Sequence, residues 1–151
     1  MAGARIQIRA DTRRLRQALN RLAKAAADPR PALEDIGEAL LQSTYNRFGP
    51  QEAPDGTPWA PLSPKYRARK PKHKDRILLL SGNLRDNLRW QLLDAHTLAV
   101  GTNEIYGATH QLGDTSRNIP ARPFLGLSPA DESTALDIFR RHLDAALDIR
   151  S

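Results

Sequence analysis

Four histidines, at positions 73, 96, 110 and 142, are the side chains best placed by type to exchange a proton or hold a metal near neutral pH. None sits in an H-x-x-x-H or H-E-x-x-H arrangement, so the one-turn spacing that aims two imidazoles at one ion is missing, and neither metal nor other cofactor is expected. His110 and Asp114 could be drawn with a serine as a hydrolase relay. Ser81, Ser116 and Ser128, however, lack the glycine pattern of a nucleophile elbow. No G-x-x-x-x-G-K-[ST] or G-x-G-x-x-G loop offers backbone amides to nucleotide phosphates. Cysteine is absent, which removes thiolate nucleophiles, thiolate metal sites and disulfides. These absences lead to the expectation of a protein that is not an enzyme.

The remaining chemistry is charge. Lys65, Arg67, Arg69, Lys70, Lys72, Lys74 and Arg76 form a basic run that could meet DNA phosphates, which demand no exact spacing. Its one aromatic is Tyr66, so stacking on bases is not expected, and a solvated face explains the run equally well. Charge alternates along the chain. Residues 1–30 hold eight Lys/Arg against two acids, 31–62 one against five, 63–90 nine against two, and 91–151 five against eight. The net charge of +6 biases the chain toward anionic partners, and the alternation suits contacts between neighbouring copies.

These residues need elements to hold them. A chain of 151 residues with 40% hydrophobic content fits one domain, 1–151, with enough apolar material for a core. Ile6 and Ile8 alternate with Arg5, Gln7 and Arg9 as in a half-buried strand. Asp11 or Thr12 then caps an amphipathic helix carrying Leu15, Ala18, Leu19, Leu22 and Ala26, which ends near Asp28–Pro29. A second helix starts near Pro31, has Glu34 and Asp35 in its first turn, and buries Leu33, Ile36, Leu40, Thr44 and Phe48. Five prolines between Gly49 and Pro64 make residues 49–64 a loop, into which Trp59 and Leu62 are set. Residues 65–76 follow as a short helical turn and a crossover; both segments are candidates to order when a partner docks.

Alternation in 87–93 and 97–101 predicts an antiparallel hairpin joined by Asp94-Ala95-His96. Residues 106–113 are ambiguous, and 122–127 read as a last strand confined to an edge by Pro123. Ser128 caps a final helix whose buried face is Leu136, Phe139, Leu143 and Leu147. The predicted class is α+β: two N-terminal helices, a mainly antiparallel sheet with a central hairpin, and a C-terminal helix packed on it. The longest apolar run, Ile77 to Leu80, is far short of the ~20 residues that span a bilayer, so no membrane partner is expected.

Five islands in order resemble the phage virion morphogenesis family, which includes tail completion proteins and the late morphogenesis protein of Mu-like phages. They are Phe48 with Pro54-Asp55-Gly56, Trp59 and Leu62; Ile77 to Leu84; Val100-Gly101-Thr102-Asn103; Tyr106, His110, Gln111 and Gly113; and Ile119 to Gly126. The resemblance covers roughly residues 33–147, with Gly107 and Leu112 departing from an expected alanine and aromatic.

What the resemblance implies is a structural protein without catalytic residues, located in the virion at the neck or tail end and in the host cytoplasm during assembly. Implied partners are sibling copies in a ring, expected to be a hexamer, and phage connector, neck and tail proteins, with passing DNA touched through its phosphates. Tail termination and capsid assembly are alternatives within phage assembly; non-specific nucleic-acid binding is the alternative of another class. Candidate contacts to subunits or partners are Trp59, Leu62, Tyr106, His110, Arg122 and Phe124. Phe124 reads first as core, and Arg122 equally as half of an intramolecular pair.

Overall fold

The computed structural model describes residues 5–9, 28–78 and 82–150, together with positions 13, 17 and 20. The helix expected from Asp11 to Asp28 otherwise lies outside the described residues, as does Ser81; Arg13, Gln17 and Asn20 carry helical backbone and are exposed.

Strand β1 (Arg5–Arg9), strand β2 (Leu88–Asp94) and strand β3 (Thr97–Thr102) form an antiparallel sheet in the order β1-β3-β2. Ile6 lies opposite Val100, and Val100 opposite Trp90, so the central strand is paired on both sides. That position explains its composition: Leu98, Ala99, Val100 and Thr102 are all buried. Along β2 the predicted alternation holds, with Leu88 buried, Trp90 and Leu92 half-buried, and Arg89 and Gln91 exposed.

Helix α1 (Arg30–Asn46) has Pro31 in its first turn, where a missing amide proton costs nothing, and the Asp28 carboxylate accepts the Arg30 amide at 3.1 Å. The helix begins one residue before Pro31, near the predicted start, but Glu34 and Asp35 fall beyond its first turn, a correction to their predicted place. Its buried face is Ala32, Leu33, Ile36, Gly37, Leu40 and Thr44. At Gly37 a β-carbon would stand 2.7 Å from the Trp90 ring, so only glycine lets the helix lie this close to β2. Phe48 is buried just past the helix end, edge-on to Trp59 with ring centroids 5.3 Å apart.

Helix α5 (Pro129–Arg150) opens with a reciprocal cap: the Ser128 hydroxyl accepts the Asp131 amide, and the Asp131 carboxylate accepts the Ser128 amide. It packs against α1, which in turn lies on the sheet. The expectation that it would lie directly on the sheet is corrected. Its buried face is Asp131, Ala135, Ile138 and Phe139, with Leu136 and Leu143 half-buried. The face is rotated by about one residue from the predicted one and includes Asp131, which pairs with Arg47 across the helix pair; the side chain of Leu147, predicted for this face, lies outside the described residues. The class is α+β.

Residues 49–64, expected as a loop able to order on docking, are already folded down. Ala53 donates to Thr57 O, Trp59 donates to Gln51 O, and the Asp55 carboxylate accepts the Thr57 amide, closing a tight turn through Pro54-Asp55-Gly56. Short helices α2 (Pro64–Arg69) and α3 (Asn83–Asp86) flank the crossover, and Ser63 caps α2 by accepting the Tyr66 amide.

Candidate assembly interface

The ambiguous segment resolves as helix α4 (Tyr106–Leu112). It ends at Gly113, whose φ of +76° excludes a side chain in comfort, and where a β-carbon would meet Ala121 N at 2.7 Å. Asp114 and Ile119 then exchange both backbone hydrogen bonds at 2.8 Å, closing a loop that contains a single 3₁₀ turn (Thr115–Arg117). The Asp114 carboxylate caps that turn, accepting from Ser116 N and Oγ and from Arg117 N and Nε. Those donors, Ser116 first and then Arg117, hold its pKa down at about 2. Asp114 is therefore spent on the turn and not on a relay with His110.

Residues 122–127 are extended but form no strand, contrary to expectation. Pro120 and Pro123 lack amide protons, and side chains replace the missing ladder. Gln111 Oε1 accepts the Phe124 and Leu125 amides, and its Nε2 donates to Leu125 O, all at 3.0 Å. Trp59 Nε1 donates to Pro123 O at 2.7 Å, and Arg47 Nη1 to Phe124 O at 2.9 Å. Arg122 donates its amide to His110 O, its Nε to Ala60 O and its Nη2 to Pro61 O. Burial lowers the pKa of its guanidinium, and the cation is served by backbone carbonyls of this chain instead of a carboxylate in an intramolecular pair.

Three of the sequence-predicted contact residues are thus internal: Trp59, Arg122 and Phe124 are buried and tie the loop 49–64 to the 119–127 stretch. Packing of a closely spaced aromatic set, Phe48, Trp59 and Phe124, takes them off the surface. Leu62 is half-buried and Tyr106 is 40% exposed. His110 is half-buried, edge-on to Tyr106 at 5.9 Å, with Nδ1 enclosed and without a hydrogen-bond partner. Burial, with a smaller contribution from Arg122, lowers its pKa.

The surface feature that sequence reasoning missed is Ile105, 85% exposed, together with Leu112, 77% exposed. A helical reading of 105–112 would have placed both on one face, but eight residues were too few to establish the period.

The basic run separates into two groups. Lys70 is buried, its Nζ donating to His73 O and Arg76 O, with burial lowering its pKa. Arg76 Nη2 donates to Gly49 O and Phe48 O, anchoring the crossover to the end of α1. Lys70 is removed from the predicted phosphate set because it is buried with its ammonium on two backbone carbonyls, whereas Arg76 is half-buried with its Nη2 committed to the end of α1. Arg67 pairs with Asp75. Lys65, Arg69, Lys72 and Lys74 remain as exposed cations, Arg69 lying over the Tyr66 ring. Of the other histidines, His142 bonds Asp35 at 2.6 Å. Among the described residues, no group of three or more His, Asp or Glu side chains stands where it could hold a metal, and no helix is long and apolar enough to cross a membrane.

The model of the phage virion morphogenesis family matches residues 10–144, nearly the whole chain. The chain belongs to this family. Protein G of Escherichia phage Mu, whose name assigns it to capsid assembly, is 32% identical over 152 residues, covering 94% of this chain and 96% of its own. Two Mu-like prophage FluMu G proteins of Haemophilus influenzae are similar. G protein 1 is 32% identical with 91% and 94% of the two chains covered, and G protein 2 is 33% identical with 80% and 82% covered. No solved structure matches the chain significantly. Three residues of the islands that carry the resemblance, Trp59, Gln111 and Arg122, tie loop to loop in this chain through side-chain hydrogen bonds.

Proposed function

We propose that this chain is a structural subunit of the phage neck or tail end, assembling with copies of itself as a ring, of six by expectation, that lets head and tail join. The observation that carries the reading is a pair of strongly exposed aliphatic side chains, Ile105 and Leu112, mounted on a cross-braced frame. Isolated domains gain nothing by showing water such a surface, whereas an assembly subunit buries it on joining its neighbours. The subunit works by fit, with no turnover. Its partners beyond sibling copies are connector, neck and tail proteins. Lys65, Arg69, Lys72 and Lys74 face passing DNA through its phosphates, without reading bases.

Capsid assembly is the second reading, favoured by the name carried by protein G of phage Mu. Electron microscopy of particles made without this protein separates the two. Full heads beside finished, unattached tails support joining, tails of uncontrolled length indicate termination, and absent or aberrant heads indicate capsid assembly.

A further inference from the structure

Ile105, at the N-cap of α4, and Leu112, in its last turn, are seven residues apart. Seven residues are two helical turns, so both project from one face with about 10 Å of rise between them. The face is held firmly, since Gln111 bonds the 124–125 backbone and the chain closes on itself between Asp114 and Ile119.

A groove of about 360 Å³ lies between α1 and α5. Ala39, Leu40 and Ala135 form its apolar part, and Gln42, Asn46 and Thr134 its neutral polar part. Asp131 also lines it, but that carboxylate already accepts from Arg47, Ser43 and Ser128. From Ile36 to Asn46 the α1 side runs about 15 Å, long enough for a two-turn apolar stripe.

Charge supplies the occupant. Glu34 of α1 and Glu132 of α5 are exposed on the helices that make the groove, whereas Lys65 and Arg69 are exposed on α2. The α2 cations travel with the α4 stripe, because Arg122 bonds both His110 O on α4 and the Ala60 and Pro61 carbonyls that lead into α2. One copy therefore carries an apolar stripe and exposed cations on one braced unit, and a second carries a neutral apolar groove on two helices with exposed acids.

We infer that α4 of one copy seats Ile105 and Leu112 in the α1–α5 groove of a second copy, a head-to-tail contact that leaves each copy one free stripe or groove until a ring closes. The inference rests on the assembly reading above and assigns its self-contact to particular surfaces.

The chain has no cysteine, so introduced ones report single contacts. Leu112→Cys and Thr134→Cys chains are mixed and treated with a short bis-maleimide, both as purified protein at high concentration and in cells assembling particles. A cross-linked dimer from the mixture, from neither variant alone, and a ladder from the double variant are the expected results. Cross-linking of Leu112→Cys to itself overturns the inference in favour of a two-fold contact; its cross-linking only to another virion protein, or no chain-to-chain product in assembling particles, overturns it too. A chain acting at the neck through other surfaces would pass the deletion test above and fail this one.

Discussion

Arg47 and Asp131, 84 residues apart in sequence, form an ion pair at 2.5 Å with both side chains buried. The pair joins the end of α1 to the cap of α5, and Arg47 also bonds Phe124 O while Ser43 Oγ bonds the same aspartate. One guanidinium and one carboxylate thus fasten both long helices and the extended 119–127 stretch. Burial pulls the Arg47 pKa down, and the Asp131 charge opposes that. Removing either partner leaves a buried charge alone, so Arg47→Met and Asp131→Leu should each cost about 3–5 kcal/mol. The double variant should recover much of that loss in urea unfolding; a double variant as unstable as the sum of the singles would show that the pair is not coupled.

His110 sets an acid limit. Its folded pKa lies below the ordinary value, first through burial and then through Arg122, so the unfolded chain takes up a proton before the folded one does. Stability is then complete above about pH 6.5 and declines as pH falls toward the folded pKa. A His110→Gln variant should flatten this decline between pH 7 and 5, read by chemical denaturation at fixed ionic strength. Asp114, held at about pKa 2, acts in a lower window, its contribution lost only as pH drops from about 4 toward 2.

Gly37→Ala tests the closeness of helix and sheet. In an exposed helix this change stabilises by about 1 kcal/mol. Here the new β-carbon falls 2.7 Å from the Trp90 ring, and the sign should reverse to a loss of about 1–3 kcal/mol with altered tryptophan emission. A stabilised variant would mean that α1 can lift from β2 without cost.

Duplex DNA binding tests the division of the basic run. Four exposed cations, Lys65, Arg69, Lys72 and Lys74, should give a plot of log affinity against log salt with a slope no steeper than about −4. Lys65→Ala or Lys72→Ala should lower the slope by about one each, equally on any sequence. Lys70→Ala should reduce stability instead, because its ammonium holds the His73 and Arg76 carbonyls. A slope well beyond this value would favour a dedicated nucleic-acid-binding protein.

Local periodicity by itself determined the secondary elements long enough to repeat: α1 through Leu33, Ile36 and Leu40, the hairpin through Leu88, Trp90 and Leu92, and the Ser128 cap of α5. The family came from motifs and not from periodicity, since five ordered islands need no coordinates to be compared. Tertiary structure alone decided what short or irregular segments do. Helix α4 has too few turns for its period to show, and the 122–127 stretch has a strand's composition but takes its hydrogen bonds from Gln111, Trp59 and Arg47, each distant or unpredictable in sequence. Burial likewise sorted the candidates: whether Trp59, Arg122, Lys70 or Ile105 meets solvent depends on which parts of the chain lie above it, and single-residue chemistry carries no record of that.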